Sequence, residues 1–143
     1  MARPETPLLA ADIIIEPVSA PGRIILIERL NPPHGFALPG GFVDIGESLE
    51  QAAVREALEE TAMRVTLKSL LGCYSNPARD SRGHTVSAVY IASGEGEPEA
   101  RDDARALQLI DPKDPPQPLA FDHALILQDY LRYLETGQPT PLR

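Results

Sequence analysis

The chain has one cysteine, no tryptophan, three histidines and only two lysines in 143 residues. A single cysteine, Cys73, excludes an internal disulfide. Set in an apolar strand-like run, it reads as an inert buried thiol, in keeping with a reducing cytoplasm. No apolar run approaches the roughly 20 residues needed to cross a bilayer. Asp12 interrupts the run LLAADIII, so the N-terminus lacks the unbroken apolar stretch of a secretory signal. Positive charge is scarce as well, with 13 Lys and Arg against 21 Asp and Glu and a net charge of −8. A nucleic-acid duplex is therefore a poor partner, because no basic stripe is available to displace its counterions. There is no internal repeat, and no convincing Ser/His/Asp or Cys/His arrangement for covalent catalysis.

What is present suits one domain, residues 1–143, long enough to bury a core. Leu8 to Glu16 and Arg23 to Glu28 are β-branched apolar runs separated by Pro17, Pro21 and Gly22, and they read as two strands and a turn. Arg64 to Tyr74, Thr85 to Ala92 and Ala104 to Ile110 are further strands. Asp122 caps a closing helix whose apolar positions Leu127, Tyr130, Leu131 and Leu134 recur at three- and four-residue steps. Gly137 ends it, and the tail beyond reads as frayed. The proline-dense segment from Asp111 to Pro118 is a linker. Gly94 to Asp103 is an acidic connection, either a solvated loop or a mobile flap.

The informative stretch is Gly41 to Met63, GFVDIGESLEQAAVREALEETAM. Ser48 with Gln51 three residues later forms a capping-box pattern, so a helix starts there. On that helix Glu56 and Glu60 lie one turn apart on one face, with Glu59 beside both. Three carboxylates so close repel one another and raise each other's pKa, and a divalent cation relieves that repulsion. Hard oxygen ligands of this kind suit Mg²⁺ or Mn²⁺. Arg55 precedes Glu59 by four residues and can pair with it. Val54, Ala57, Leu58 and Thr61 fall on the opposite side, the one expected to pack on a sheet.

Gly41, Glu47, Arg55, Glu56, Glu59 and Glu60 together match the Nudix box, the signature of hydrolases that cut a nucleoside diphosphate linked to another group. At about 6% usage per residue type, six fixed matches arise at roughly one in 10⁷ starting points. Two softer positions depart from the pattern. Ala57 stands for a bulkier aliphatic, and Ala62 replaces the closing glycine, which is expected to let the helix run slightly further. Pro77, then Arg79-Asp80-Ser81-Arg82-Gly83-His84, and later Leu119 to His123, are similar to the ADP-ribose pyrophosphatase branch of that family.

The resemblance implies a Nudix-type α/β/α sandwich with a mixed β-sheet between helices, which the element order also suits. It implies Mg²⁺- or Mn²⁺-dependent hydrolysis of a nucleoside diphosphate derivative, with ADP-ribose giving AMP and ribose 5-phosphate. The box reads only the diphosphate, so triphosphates, dinucleotides and nucleotide sugars stay open, as does an ADP-ribose sensor that binds without cutting. By the same resemblance Glu56, Glu60, Glu59 and the Gly40 carbonyl hold metal. The base is Glu59 or Asp103, since a glutamate often found nearby is Ala106 here. Arg55 orients the acidic cluster. Arg29, Arg79, Arg82 and His84 are candidates to reach the phosphates or distal sugar, against the plainer reading of rim salt bridges and an exposed hairpin loop. Phe36 either stacks on a base or belongs to the core, and His123 either touches substrate or makes a structural hydrogen bond. Homodimers are common among relatives, and nothing in the sequence fixes an interface.

Overall fold

The computed structural model describes residues 2–101 and 104–143, so Asp102 and the candidate base Asp103 lie outside the described residues. Among the described residues, seven strands and two helices follow in the order β1 (Leu8–Pro17), β2 (Ile24–Arg29), β3 (Phe36–Ala37), β4 (Gly40–Phe42), α1 (Leu49–Thr61), β5 (Arg64–Tyr74), β6 (Thr85–Glu95), β7 (Ala104–Ile110) and α2 (His123–Thr136). The expected α/β class is observed. The strands, however, divide into two hydrogen-bonded sheets, β4-β1-β6-β5 and β3-β2-β7. The larger is the mixed one, with β1 parallel to β6 and antiparallel to β4.

The helices are held by the alternation of side chains along β1 and β2. Ile13, Ile15 and Ile25 join Ala52, Ala53 and Ala57 of α1 in one core cluster. Ile14, Ile24 and Leu26, the intervening residues, join Ile126, Leu127 and Tyr130 of α2 in another. Each buried isoleucine or leucine contributes about 1.5–3 kcal/mol by leaving water. The short alanine face of α1 lets that helix lie close against β1. Val54 and Leu58, expected on this face, are instead 40% and 39% exposed. They sit one residue beyond Ala53 and Ala57, about 100° round the helix, and Ala52, Ala53, Ala57 and Thr61 take the buried side.

The capping box at the start of α1 is formed, with Ser48 Oγ accepting from the Gln51 amide at 3.1 Å and Gln51 Oε1 accepting from the Ser48 amide at 2.9 Å. At the other end α1 does not run on. Ala62 adopts φ 62°, ψ 9°, the left-handed conformation usually taken by glycine, and its N–H closes on the Leu58 carbonyl. The acidic connection is tied to this end: the Glu99 and Arg101 amides donate to the Thr61 and Glu60 carbonyls at 2.8 and 3.0 Å.

Two further expectations are corrected. Cys73 is exposed, because it alternates with the buried Tyr74 on the outer strand β5. The tail beyond Gly137 is docked, with Arg143 paired at 2.9 Å to the buried Asp129 and its carbonyl accepting from Ser75 Oγ. Asp129 also accepts from Tyr74 Oη at 2.8 Å, so the tail closes over a buried hydroxyl–carboxylate pair.

Candidate active site

The box becomes a site because Arg55 ties the loop before α1 to the helix itself. Its Nε and Nη2 donate to the two oxygens of Glu47 at 2.7 and 2.8 Å, a bidentate fork. Nη2 also donates to the Phe42 carbonyl at 3.0 Å, and Nη1 donates to Glu56 at 2.8 Å and Glu59 at 3.1 Å. Glu47 accepts the Asp44 amide as well, and with the Arg55 bonds this holds its carboxyl at about 2. The same partnership raises the Arg55 guanidinium above its ordinary value. Burial pushes Glu56 up, with Arg55 opposing the shift.

The glycines of β4 bring backbone against these carboxylates. A Cβ on Gly41 would stand 2.6 Å from the Glu56 carboxylate, so only glycine fits here with Glu56 in place. The Gly40 amide donates to the buried Glu60 at 3.3 Å. Gly40, Glu56 and Glu60 thus line one cavity of about 320 Å³. Glu59 is not among its lining residues; its carboxylate is half exposed and points to Arg55.

The opposite wall comes from the β5–β6 loop and the start of α2. Arg79 is buried and forks onto Asp122 at 3.0 and 2.7 Å, and its third nitrogen lies 3.5 Å from the Thr85 carbonyl. This explains why Asp122 precedes α2 without capping it through its side chain. Arg82 grips Asp80 at 2.8–3.3 Å. Burial alone would raise the Asp80 pKa, and the bonds from Arg82 more than offset it, leaving the carboxyl low. Arg29 donates to the Pro33 carbonyl at 2.8 Å and lies over the Phe121 ring, 4.9 Å from its centroid. Arg82 faces the rings of Phe121 and Phe42 at 5.1 and 5.6 Å.

Of the residues singled out from sequence, the cavity brings together Arg29, Gly40, Glu56, Glu60, Arg79 and Arg82. It does not include Phe36 or His84. Phe36 packs against the α2-side core, because its strand pairs with β2. His84 is exposed and its Nε2 meets the Ser75 carbonyl at 3.1 Å, closing the β5–β6 loop. The phenylalanines at the cavity are Phe42 and Phe121, the latter held at φ 54° just before α2. His123 is buried on the cavity wall, where its Nδ1 accepts the Leu38 amide at 3.0 Å. Burial lowers its pKa and keeps it the neutral acceptor this bond needs.

Sequence reasoning missed Asp12 as a site residue. Asp12 sits mid-strand in β1, is 9% exposed and lines the cavity. A carboxylate interrupting an otherwise apolar run was the available signal.

The NUDIX domain profile matches residues 7–130. The chain is 48% identical over 130 residues to the ADP-ribose pyrophosphatase of Methanocaldococcus jannaschii, covering 89% of this chain and 75% of that protein. The NUDIX domain of Shewanella oneidensis NrtR, solved in complex with ADP ribose, superposes with a TM-score of 0.78 at 28% identity, covering 91% of this chain and 90% of that one. A bifunctional NMN adenylyltransferase/ADP ribose pyrophosphatase from Francisella tularensis, complexed with AMP and a manganese ion, superposes with a TM-score of 0.79 at 26% identity over 92% of this chain and 43% of that one.

Proposed function

The chain belongs to the Nudix family as a pyrophosphohydrolase, and from that premise we propose that it hydrolyses ADP-ribose to AMP and ribose 5-phosphate. The observation that carries this reading is the convergence of Gly40, Glu56 and Glu60 on one cavity faced by Arg29, Arg79 and Arg82. The 48% identity to an ADP-ribose pyrophosphatase over most of both chains supports the substrate.

The acidic corner fits a divalent ion by its chemistry. Among the described residues no three His, Cys, Asp or Glu side chains gather tightly enough to enclose an ion. Mg²⁺ does not require that, since it keeps several waters and is held by one or two carboxylates together with substrate phosphates. Glu56, Glu60 and the Gly40 carbonyl are the donors we assign to Mg²⁺, or Mn²⁺ in its place, with Glu59 at the margin. When bound, the ion neutralises non-bridging phosphate oxygens and acidifies a water molecule.

The chain's own residues do the rest. Arg55 holds Glu47, Glu56 and Glu59 in one register, so the carboxylates meet the ligand already oriented. Hydrolysis forms one water O–P bond and breaks the bridging P–O bond, with the water's proton passing to a base. Glu59 and Asp103 are our candidates for that base, distinguished by the pH profiles of E59Q and D103N. Arg29, Arg79 and Arg82 we assign to the far phosphate and sugar. Arg79 also anchors the loop to α2 through Asp122, so it acts in part by position.

No described helix is long and apolar enough to cross a membrane. We propose a cytoplasmic enzyme acting on a small ligand; its net charge of −8 disfavours nucleic acid as a partner, and a homodimer is left to be tested by the molecular mass in solution. The test is a panel of ADP-ribose, nucleoside triphosphates, dinucleotides and nucleotide sugars with Mg²⁺, with products separated by chromatography. Cleavage of ADP-ribose ahead of the others supports the reading. Triphosphate cleavage with ADP-ribose untouched rejects it.

A further inference from the structure

Resting on the ADP-ribose reading, we propose that Asp12 is a specificity-determining residue. It selects a ligand that offers uncharged hydrogen-bond donors, such as a pair of sugar hydroxyls, at the cavity floor and turns away one that brings a further phosphate there.

Asp12 stands on the central strand β1, directly opposite Gly40 in the β1–β4 register and beside the parallel strand β6. One carboxylate oxygen, Oδ2, accepts from Ser87 Oγ. The other, Oδ1, accepts no hydrogen bond among the described residues. Among the described residues no fully buried side-chain oxygen or nitrogen lacks a partner, so Oδ1 keeps some exposure; it lies against Gly40, where a Cβ would run into it, at the edge of the cavity that Asp12 and Gly40 both line. A nearly buried carboxylate with an unused acceptor oxygen is costly unless something donates to it.

The surroundings decide what donates. Arg79 and Arg82, the cavity's two loop cations, each fork onto their own carboxylate, Asp122 and Asp80. No Lys or Arg of the described residues comes within 4.0 Å of Asp12; Arg82 acts on it only at longer range, and His123 Nε2 lies at 4.0 Å. Since Nδ1 of His123 accepts the Leu38 amide, the ring proton of the neutral imidazole sits on Nε2, facing Asp12. The floor therefore presents an acceptor-only carboxylate next to Gly40, the residue we place at the pyrophosphate. A hydroxyl there completes the unfilled acceptor. A phosphate there would meet like charge in a confined space of low dielectric.

The experiment compares wild type with D12N, which keeps size and the Ser87 partner and removes the charge. kcat and KM are measured with Mg²⁺ for ADP-ribose and for ATP, and thermal unfolding is recorded for both proteins. The expected result is that D12N lowers kcat/KM for ADP-ribose at least tenfold, chiefly through KM, and raises it for ATP. An unchanged ratio between the two substrates, or an equal fall in both, overturns the assignment. Should D12N fail to fold, D12S carries the same comparison. A wild type that leaves ADP-ribose intact sinks the substrate reading instead. Asp12 is then judged by the same ratio, using whichever diphosphate derivative is cleaved.

Discussion

Arg55 and Glu47, eight residues apart in the chain, face each other as a two-pronged fork at 2.7 and 2.8 Å. The fork spans the junction between the glycine-bearing loop and α1, so it fixes where the helix carboxylates stand relative to the Gly40–Gly41 backbone. Lysine has one compact donor head and cannot reproduce the fork together with the bonds to Phe42, Glu56 and Glu59. R55K is expected to lower kcat at least tenfold and to cost about 1–3 kcal/mol of stability, since hydrogen bonds to charged groups are lost at a partly buried site. Steady-state kinetics with chemical denaturation checks both.

The two glycines of β4 should respond differently to a methyl group. In G41A the atoms nearest the new Cβ are all at the end of the Glu56 side chain, so Glu56 swings aside while the fold survives. The expected outcome is a loss of roughly 100-fold in turnover, the order seen when one transition-state-stabilising group is removed, with thermal unfolding little changed. In G40A the Cβ runs into Asp12 Oδ1 and into the backbone of Ala11 and Asp12, the Asp12 Cα being 2.8 Å away, and unfolding at lower temperature is expected. Thermal melts of the pair distinguish the two effects.

Ala62 carries local strain with no site role. At φ 62° an alanine costs about 1–2 kcal/mol relative to glycine. A62G should therefore stabilise the protein by about 1 kcal/mol and leave kcat and KM unchanged, as read from denaturant midpoints and kinetics.

The depressed Glu47 carboxyl predicts a pH dependence of stability. Its pKa falls from 4.5 to about 2, through the Arg55 hydrogen bond first and the Asp44 amide second. The folded pKa is below the unfolded one, so this stabilisation is complete above about pH 4.5 and is lost as pH falls toward 2. The difference in Tm between wild type and E47Q should shrink across that window. A constant difference from pH 6 down to 2.5 would show that the fork contributes nothing through ionisation.

Much of this was legible in the sequence because local chemistry was decisive there. The Ser48–Gln51 capping box, the strand from Arg64 to Tyr74 and the glycine ending α2 appear where short-range rules place them. Glu56, Glu60 and Gly40 converge because their separation is set by one helix turn and one tight loop. The readings that changed depended on tertiary packing. Phe36 was ambiguous until β3 paired with β2, and Phe121 reaches the cavity only because the turn before α2 puts it at positive φ. Asp12 looked like an interruption in an apolar strand until Gly40 was seen opposite it. Whether Cys73 or Tyr74 faced inward depended on the register of β5, which hydrophobicity alone left open because both suit a core.

The central claim is that Glu56 and Glu60 bind divalent ions beneath a pyrophosphate, and Mn²⁺ titration followed by electron paramagnetic resonance tests it most directly. Wild type, E56Q and E60Q would be titrated with and without a non-hydrolysable ADP-ribose analogue, with circular dichroism recording the fold. The account predicts that the analogue tightens Mn²⁺ binding to wild type, and that both variants stay folded while losing at least tenfold in affinity. Folded variants that bind Mn²⁺ as tightly as wild type, with the analogue present, would contradict it.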